Sequence, residues 1–227
     1  MTMSHSSTVQ NPVHRRSPLA ATFEALGAKL GGEHGWDTAL SFRSPGEEAR
    51  LVRESVGLAD LSQIPKFDVR GSNLDPAFAL DGDAHVWRQR KGQSLVTCTP
   101  ESRATVAEQF DHYAASAGDS SPVYVSDVTP VYGALLLAGP RSAAVLGKLA
   151  DLDLSSEALP NLDCTQTGIH HVYALVARQD LPSLPAYLIF TGREYAEWLW
   201  ETLMHAGHEF GLQPFGSQAH KILGAPS

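Results

Sequence analysis

The chain reads Lys66-Phe67-Asp68-Val69-Arg70 at its clearest strand, where polar and apolar side chains alternate with a period of two. This alternation is typical of a half-buried strand that turns one face to a core. Comparable strand signals occur at residues 38–42, 84–88, 94–98, 123–126, 133–138, 170–178 and 186–190. Several of these segments follow one another with only turns between them, and this favours antiparallel pairing.

Helix signals lie between the strand segments. Ser17-Pro18 opens a helical spacing of apolar residues that runs to Leu30, and Ser44 and Glu47 have the spacing of a capping box. Further helix starts are predicted at residues 99–100, 139–140 and 191–194, and a short last helix at 217–223. The sequence therefore predicts an α+β fold, with mixed or antiparallel sheets and helices packed on one face.

Length, net charge and cysteine count limit the classes of protein to which this chain can belong. The 227 residues are enough for one large domain, which we assign to residues 17–227, and the Ser- and His-rich residues 1–16 are predicted to be a disordered tail. A net charge of −8 disfavours a nucleic-acid partner. The longest apolar run, residues 134–138, is too short to span a membrane. Two cysteines indicate a reducing compartment, so we expect a cytoplasmic protein.

Isolated reactive residues give no firm site. Cys98 closes an apolar strand, and a buried inert thiol is preferred over a nucleophile. His205 and His208 are three residues apart on a predicted helix, but no third ligand is identifiable and no metal is expected. His170 and His171 are placed on a strand, facing opposite sides. The Gly139-Pro140-Arg141-Ser142 segment is either an anion site at a helix start or a plain turn.

Three stretches resemble one family when they are taken together and in order. The first joins a Gly35-Trp36-Asp37 strand start to the turn Gly57-Leu58-Ala59-Asp60-Leu61-Ser62 and the strand from Lys66. The second runs from Asp127-Val128-Thr129 to Gly139-Pro140. The third runs from Arg178 through residues 195–200 to Gly211-Leu212-Gln213-Pro214. Over about residues 18–223 the chain is similar to the aminomethyltransferase (glycine cleavage T protein) family.

The resemblance implies a folate-binding domain, tetrahydrofolate as a possible cofactor and transferase chemistry in one-carbon metabolism. Matching positions suggest that Arg178, Tyr187 and Trp36 contact the cofactor. Asp81, Asp83 and Asp180 are the acids nearest to the family's catalytic region. A pterin site of this kind needs a pocket, an acid or base, and stacking surfaces.

The chain departs from the family pattern where the family's chemistry lies. A Tyr and two Glu positions of the folate-binding strand are occupied by Leu181, Leu184 and Leu188, and the loop that carries the family's catalytic Asp is missing. Leucine offers no acceptor, so each pterin donor left unpaired would cost about 1–3 kcal/mol. The family's C-terminal barrel is absent as well.

This shortened outline is most similar to the gamma subunit of heterotetrameric sarcosine oxidase. It predicts an accessory subunit with a degenerate site, an exposed apolar patch and a larger flavin- or folate-carrying partner; a homo-oligomer is a further possibility. The alternative is a compact tetrahydrofolate-dependent methyl- or aminomethyltransferase or a demethylase. A third hypothesis is a protein that binds folate without turnover.

Overall fold

The computed structural model describes residues 15–71, 80–81, 83–117 and 122–225. The helices are α1 (Ala20–Ala25), α2 (Pro45–Glu54), α3 (Arg103–Ala117), α4 (Ser142–Leu146), α5 (Ala196–Gly207) and α6 (Ser217–Gly224). The strands are β1 (Arg15–Arg16), β2 (Lys29–Glu33), β3 (Trp36–Ser41), β4 (Gly57–Asp60), β5 (Lys66–Gly71), β6 (Ala84–Arg90), β7 (Gln93–Cys98), β8 (Val123–Asp127), β9 (Tyr132–Ala138), β10 (Cys164–Ile169), β11 (Val172–Arg178), β12 (Ala186–Gly192) and β13 (Gln213–Pro214).

The strands of the described residues form three sheets. A six-stranded sheet has the order β10-β11-β12-β9-β4-β13, a four-stranded sheet the order β6-β7-β5-β8, and a small sheet the order β1-β3-β2. Pairing is antiparallel except for β1 with β3 and β13 with β4. The predicted α+β class with mixed and antiparallel sheets is confirmed.

The two faces of the six-stranded sheet are covered differently. One face packs under helices α1, α4 and α5, through Phe23, Val145 and Trp200, for example. The other face packs against Trp87 and Leu95 of the four-stranded sheet and against α2 and α6. Helix α3 covers the far side of the four-stranded sheet through Val106 and Phe110. We call the first face of the six-stranded sheet the helix face and the second the inter-sheet face.

Strict alternation along the central strands sorts side chains between these faces. On β9, Leu135 and Leu137 join the helix face, whereas Leu136 belongs to the inter-sheet face. On β12, Tyr187 and Ile189 join the helix face and Leu188 the inter-sheet face. Because both faces are buried, these strands are almost wholly apolar in sequence.

The start of α2 follows the capping prediction, and a buried carboxylate ties it to the end of the chain. The Ser44 hydroxyl accepts a hydrogen bond from Glu47 N at 3.4 Å. Glu48 is 1% exposed, and its carboxylate accepts from Phe42 N at 2.5 Å, Arg43 N at 2.6 Å and Gly216 N at 2.9 Å. This anchors the residues that lead into α6, which closes one end of the inter-sheet space.

The first predicted helix is too long. Helix α1 stops at Ala25, and Leu30 belongs to β2, which pairs with β3 across a turn at His34 and Gly35. Gly31 does not stop a helix but lies in the strand, where a Cβ atom would come within 2.5 Å of Leu40. The helical spacing of Leu26 and Leu30 was therefore misleading, and Leu26 is in fact 50% exposed.

Three other local predictions are corrected. His170 and His171 form the two-residue turn between β10 and β11, with φ of 45° and 80°, and do not lie within a strand. The capping box predicted at residues 191–194 is not formed, because these residues end β12 and enter a short 3-10 helix, Arg193–Tyr195. The buried strand β4 was missed.

The tail prediction is covered only at its end. Residues 1–14 lie outside the described residues. Arg15 and Arg16, the last two residues assigned to the tail, form β1 and pair with Trp36 and Asp37.

Candidate functional site

A cavity of about 520 Å³ lies between the six-stranded and four-stranded sheets. Its volume is in the range of small-molecule sites. Strands β6, β7, β9 and β12, the loop between β4 and β5, the turn between β2 and β3, and helix α6 all contribute to its lining. The cavity therefore opens on the inter-sheet face.

Leucines form the floor of the cavity. Leu136 of β9 and Leu188 of β12 are directly paired across the ladder, and Leu181 comes from the turn before β12. Leu188 and Leu181 occupy two of the positions where the family pattern has Glu and Tyr, so both of these side chains line the cavity. Leu184, at the other Glu position, lines a shallower depression of about 430 Å³ instead.

One wall of the cavity carries a small polar group of neutral side chains. The side-chain amide of Gln179 lies 2.7 Å from His85 Nε2, and His85 stacks on Trp87 at a centroid distance of 5.5 Å. The Trp87 indole N–H in turn donates to the Thr97 hydroxyl at 2.9 Å. Burial lowers the pKa of His85 although Asp83 lies close by, so the imidazole is neutral at pH 7.

Acidic groups dominate the mouth of the cavity. Glu33 pairs with Lys221 of α6 at 2.7 Å, and Glu101 lies 3.5 Å from His34. Burial opposes the ionisation of Glu33, but the hydrogen bond and charge of Lys221, with the Ser217 hydroxyl close by, hold its pKa below the ordinary value. Burial also lowers the pKa of His220, so this imidazole contributes no positive charge at pH 7.

Ser217, the first residue of α6, lines the cavity with an unsatisfied hydroxyl. The residue is 9% exposed, and its Oγ has no hydrogen-bond partner of normal length among the described residues. It lies near enough to the Glu33 carboxylate to help lower that pKa. A buried hydroxyl without a partner costs free energy, so its position calls for a polar group in the cavity.

The three predicted cofactor contacts do not meet in this cavity. Arg178 and Tyr187 are paired across the ladder on the helix face, where the Tyr187 hydroxyl donates to Leu154 O at 2.8 Å. Arg178 makes a bidentate pair with Asp180, at 2.9 and 2.8 Å, and donates to Leu159 O. Trp36 is 4% exposed and lies between Arg15 and Arg193, at 5.8 and 6.0 Å.

Only one of the three predicted acids lines the cavity. Asp83 does so at the start of β6. Asp81 is exposed, and its backbone N–H donates to Gln109. Asp180 is held by Arg178 beside the shallower depression. That these residues act in catalysis or cofactor binding stays a prediction, and the geometry favours Asp83 among them.

The remaining sequence candidates are mostly structural. Burial raises the pKa of the Cys98 and Cys164 thiols to about 11, so neither is a ready nucleophile. The Ser142 hydroxyl donates back to Gly139 O at 2.7 Å, as in a plain turn, and α4 is only five residues long. His205 and His208 are exposed. In the described part of the chain, no three His, Cys, Asp or Glu side chains are grouped to hold a metal.

A second buried polar cluster lies behind the cavity wall. Asp60 accepts hydrogen bonds from the Ser17 hydroxyl and from the backbone N–H and hydroxyl of Ser62. Lys66 is 0% exposed and donates to Ser62 O and Ile64 O, both at 2.9 Å. Burial lowers the pKa of Lys66 to about 7, even though the nearby Asp60 raises it. Asp60 and Lys66 thus compensate one another out of contact with solvent.

Sequence reasoning missed most of the cavity lining. His85, Gln179, Ser217 and Lys221 come from three separated segments, since Ser217 and Lys221 both belong to α6, and no motif in their local sequence marks them. A weak signal existed in β6, because the period of two places His85 on the same side as the apolar Trp87.

None of the described helices is both long and apolar enough to cross a membrane.

Comparison with known sequences places this geometry in context. Residues 74–225 match the family model of the GCVT N-terminal domain. The aminomethyltransferase of Streptomyces coelicolor is 29% identical over 92% of this chain, and that of a Geobacillus species is 28% identical over the same share. The chain spans 62% and 63% of the length of these two relatives.

Comparison with solved structures gives the same fold. The aminomethyltransferase T of the glycine cleavage system from Bartonella henselae has a TM-score of 0.73 at 20% identity, covering 92% of this chain and 62% of that one. A chain of heterotetrameric sarcosine oxidase from Corynebacterium sp. U-96 has a TM-score of 0.59 at 19% identity. The match covers 86% of this chain and 96% of that chain.

Proposed function

Since the chain belongs to the GCVT N-terminal domain family, we propose that residues 17–227 are a non-catalytic, aminomethyltransferase-like domain that serves as an accessory subunit in one-carbon metabolism. The domain keeps the family fold, and its binding cavity no longer serves tetrahydrofolate. Its partner would be a larger chain that carries flavin or folate. A cytoplasmic location belongs to the same proposal.

The observation that carries this proposal is the composition of the cavity floor. Leu181 and Leu188 line it at positions where the family pattern has acceptors for the pterin, and Leu136 lies beside Leu188. Each donor that is buried there without a partner would cost about 1–3 kcal/mol, which is a factor of roughly 5 to 150 in affinity. Two or three such losses are enough to abolish micromolar binding.

The fate of Arg178 supports the same conclusion. Its guanidinium already donates to both Asp180 oxygens and to Leu159 O, and its side chain is 11% exposed. A cofactor carboxylate could recruit it only by breaking a bidentate pair with a geometry that is favourable in itself. Arg178 therefore has a structural role, which is to fix the turn after β11 through its ion pair with Asp180.

The accessory role is supported by the extent of the structural likeness. The chain covers almost the whole of one chain of a heterotetrameric oxidase, whereas it covers only 62% of the aminomethyltransferase T. The sequence identity of 19% supports the fold alone, so the role itself rests on the experiment below.

The test is calorimetric titration of the purified chain with reduced tetrahydrofolate. We expect no binding at micromolar concentrations, because Leu181 and Leu188 stand at the floor where the family pattern has acceptors for the pterin. Submicromolar binding would overturn the proposal. A matched pair of variants, Leu188→Glu and Leu188→Gln, reports on the cause: the carboxylate should raise the affinity above wild type, and the amide should raise it less.

The alternative remains a compact tetrahydrofolate-dependent transferase or demethylase. Asp83 and His85 at the cavity are the acid and base that such an enzyme would have available. It would bind tetrahydrofolate and turn over, and the Asp83→Asn and His85→Gln variants would lose activity while keeping their fold. A folate-binding protein without turnover would bind tetrahydrofolate equally tightly in wild type and in both variants.

A further inference from the structure

We infer that the cavity between the two sheets binds a small organic cation, a protonated amine carried on a compact apolar body. This goes beyond the proposed function, because it names a ligand for the cavity, whereas the proposed function concerns the role of the domain as a subunit. It rests on the charges at the mouth, the apolar floor and the unsatisfied Ser217 hydroxyl. Each of these is independent of the resemblance to the family.

The charge balance of the lining is negative. Three carboxylates line the cavity, those of Glu33, Asp83 and Glu101. Lys221 is the one lysine or arginine among the described lining residues, and the Glu33 carboxylate lies 2.7 Å from its ammonium. A cleft with one sign of charge and low-dielectric walls concentrates ligands of the opposite sign. An anion entering the same mouth would meet Asp83 and Glu101, and the basic groups there, Lys221 and His34, already face the carboxylates of Glu33 and Glu101.

The other basic groups nearby do not reverse this balance. Burial keeps the imidazoles of His85 and His220 neutral at pH 7. Lys66 lies behind the wall with its ammonium directed to the Ser62 and Ile64 carbonyls, next to Asp60. Asp60 and these carbonyls therefore offset the positive charge of Lys66, so that it adds little to the potential in the cavity.

The floor and the polar atoms define the rest of the ligand. Leu136, Leu181 and Leu188 offer a surface suited to an aromatic or branched aliphatic group, and about 520 Å³ holds one such group with room for water. The Ser217 hydroxyl can accept a hydrogen bond from an ammonium while Glu33 lies beside it. The ligand would thus place its apolar body on the leucines and its charge at the mouth.

The experiment uses three probes with one carbon skeleton and different charges: benzylamine, benzyl alcohol and benzoate. Each is titrated into the full chain at pH 7, with binding followed by calorimetry and by the shift in melting temperature. We expect benzylamine to bind at least tenfold more tightly than benzyl alcohol, and benzoate to bind more weakly than the alcohol. Raising the salt concentration should weaken benzylamine and leave the alcohol unchanged.

Variants locate the site and control for net charge. Asp83→Asn and Glu101→Gln should each weaken benzylamine by about threefold to tenfold, since one unit charge near 4 Å is worth about 1 kcal/mol even in water. Glu209→Gln removes an exposed carboxylate on another surface, the partner of Lys148, and should leave the affinity unchanged. Ser217→Ala should weaken benzylamine while keeping the melting temperature of the free protein, because its hydroxyl has no partner to lose.

Each outcome is decisive. Equal affinity for the three probes, a preference for benzoate, or no binding of benzylamine up to about 10 mM overturns the inference. So does a loss of affinity that Glu209→Gln reproduces, because the effect would then be one of net charge. Binding of tetrahydrofolate in the separate titration would overturn the proposed function alone, since the probes report on the mouth and floor whichever ligand the family binds.

Discussion

The two faces of the six-stranded sheet use their polar groups in opposite ways. On the helix face, Arg178 and Tyr187 are buried and find partners within the chain. On the inter-sheet face, Leu188, the neighbour of Tyr187, lines a cavity into which Ser217 brings an unsatisfied hydroxyl. The polar groups of the helix face thus find partners within the chain, whereas the inter-sheet face keeps a cavity of about 520 Å³. Residues that are adjacent in sequence therefore belong to a stable core and to a site, respectively.

The largest loss of stability is expected for Asp60→Ala. Asp60 is 8% exposed, accepts three hydrogen bonds and offsets Lys66. Its removal leaves buried donors and a buried cation without a partner, so we expect the free energy of unfolding to fall by about 3–5 kcal/mol. Urea denaturation measures this, and Glu157→Ala at an exposed position should change it by less than about 0.5 kcal/mol. A loss below about 1 kcal/mol would mean that the cluster is not a structural anchor.

A matched pair on one strand sharpens the comparison. Leu137 is 0% exposed on the helix face, and Leu136 is 2% exposed beside the cavity. We expect Leu137→Ala to cost about 3–5 kcal/mol, because it opens a new void in a closed core. Leu136→Ala should cost about 2 kcal/mol, mostly the transfer term, because it enlarges a space that already exists. Equal losses in urea denaturation would show that the inter-sheet face is as closed as the helix face.

The smallest effect concerns Lys66, which is buried at the start of β5. Its pKa falls from 10.5 to about 7 on folding, so above pH 7 the folded chain has released a proton that the unfolded chain still holds. The free energy of unfolding therefore rises with pH in this window, by about 2 kcal/mol between pH 7 and pH 9. Denaturation at both pH values measures the rise. Lys66→Met should flatten it, and an equal rise in the variant would assign it to other groups.

The sequence predicted the elements that a local pattern can encode. The strand at Lys66 and the capped helix after Ser44 depend on neighbouring residues, and both are found in the structure. The prediction failed where long-range pairing decided the outcome. Leu30 continues a helical spacing but lies in β2, because pairing with β3 is worth more than the local helix propensity. His170 and His171 show the same limit, since the turn between β10 and β11 is fixed by the register of the whole hairpin.

The candidate site was only partly accessible to sequence reasoning. The substitutions at Leu181 and Leu188 pointed to an altered pocket, and both side chains line the cavity. Arg178 and Tyr187 were assigned to the cofactor site because their positions match the family pattern. The period of two along β11 and β12 directs them to the helix face instead. Alternation along β12 predicts that Tyr187 and Leu188 point to opposite faces of the sheet. It does not show which of the two faces holds the cavity.

By itself, the sequence determined the fold class and the family, because alternation, caps and motif order are written in neighbouring residues. It also determined that the family's acceptors had become leucines. Only the tertiary structure decided what the cavity offers instead. His85, Gln179, Ser217 and Glu33 come together through sheet pairing and the docking of α6, and burial then sets their protonation. The chemistry of this site therefore depends on how segments that are far apart along the chain come together in space.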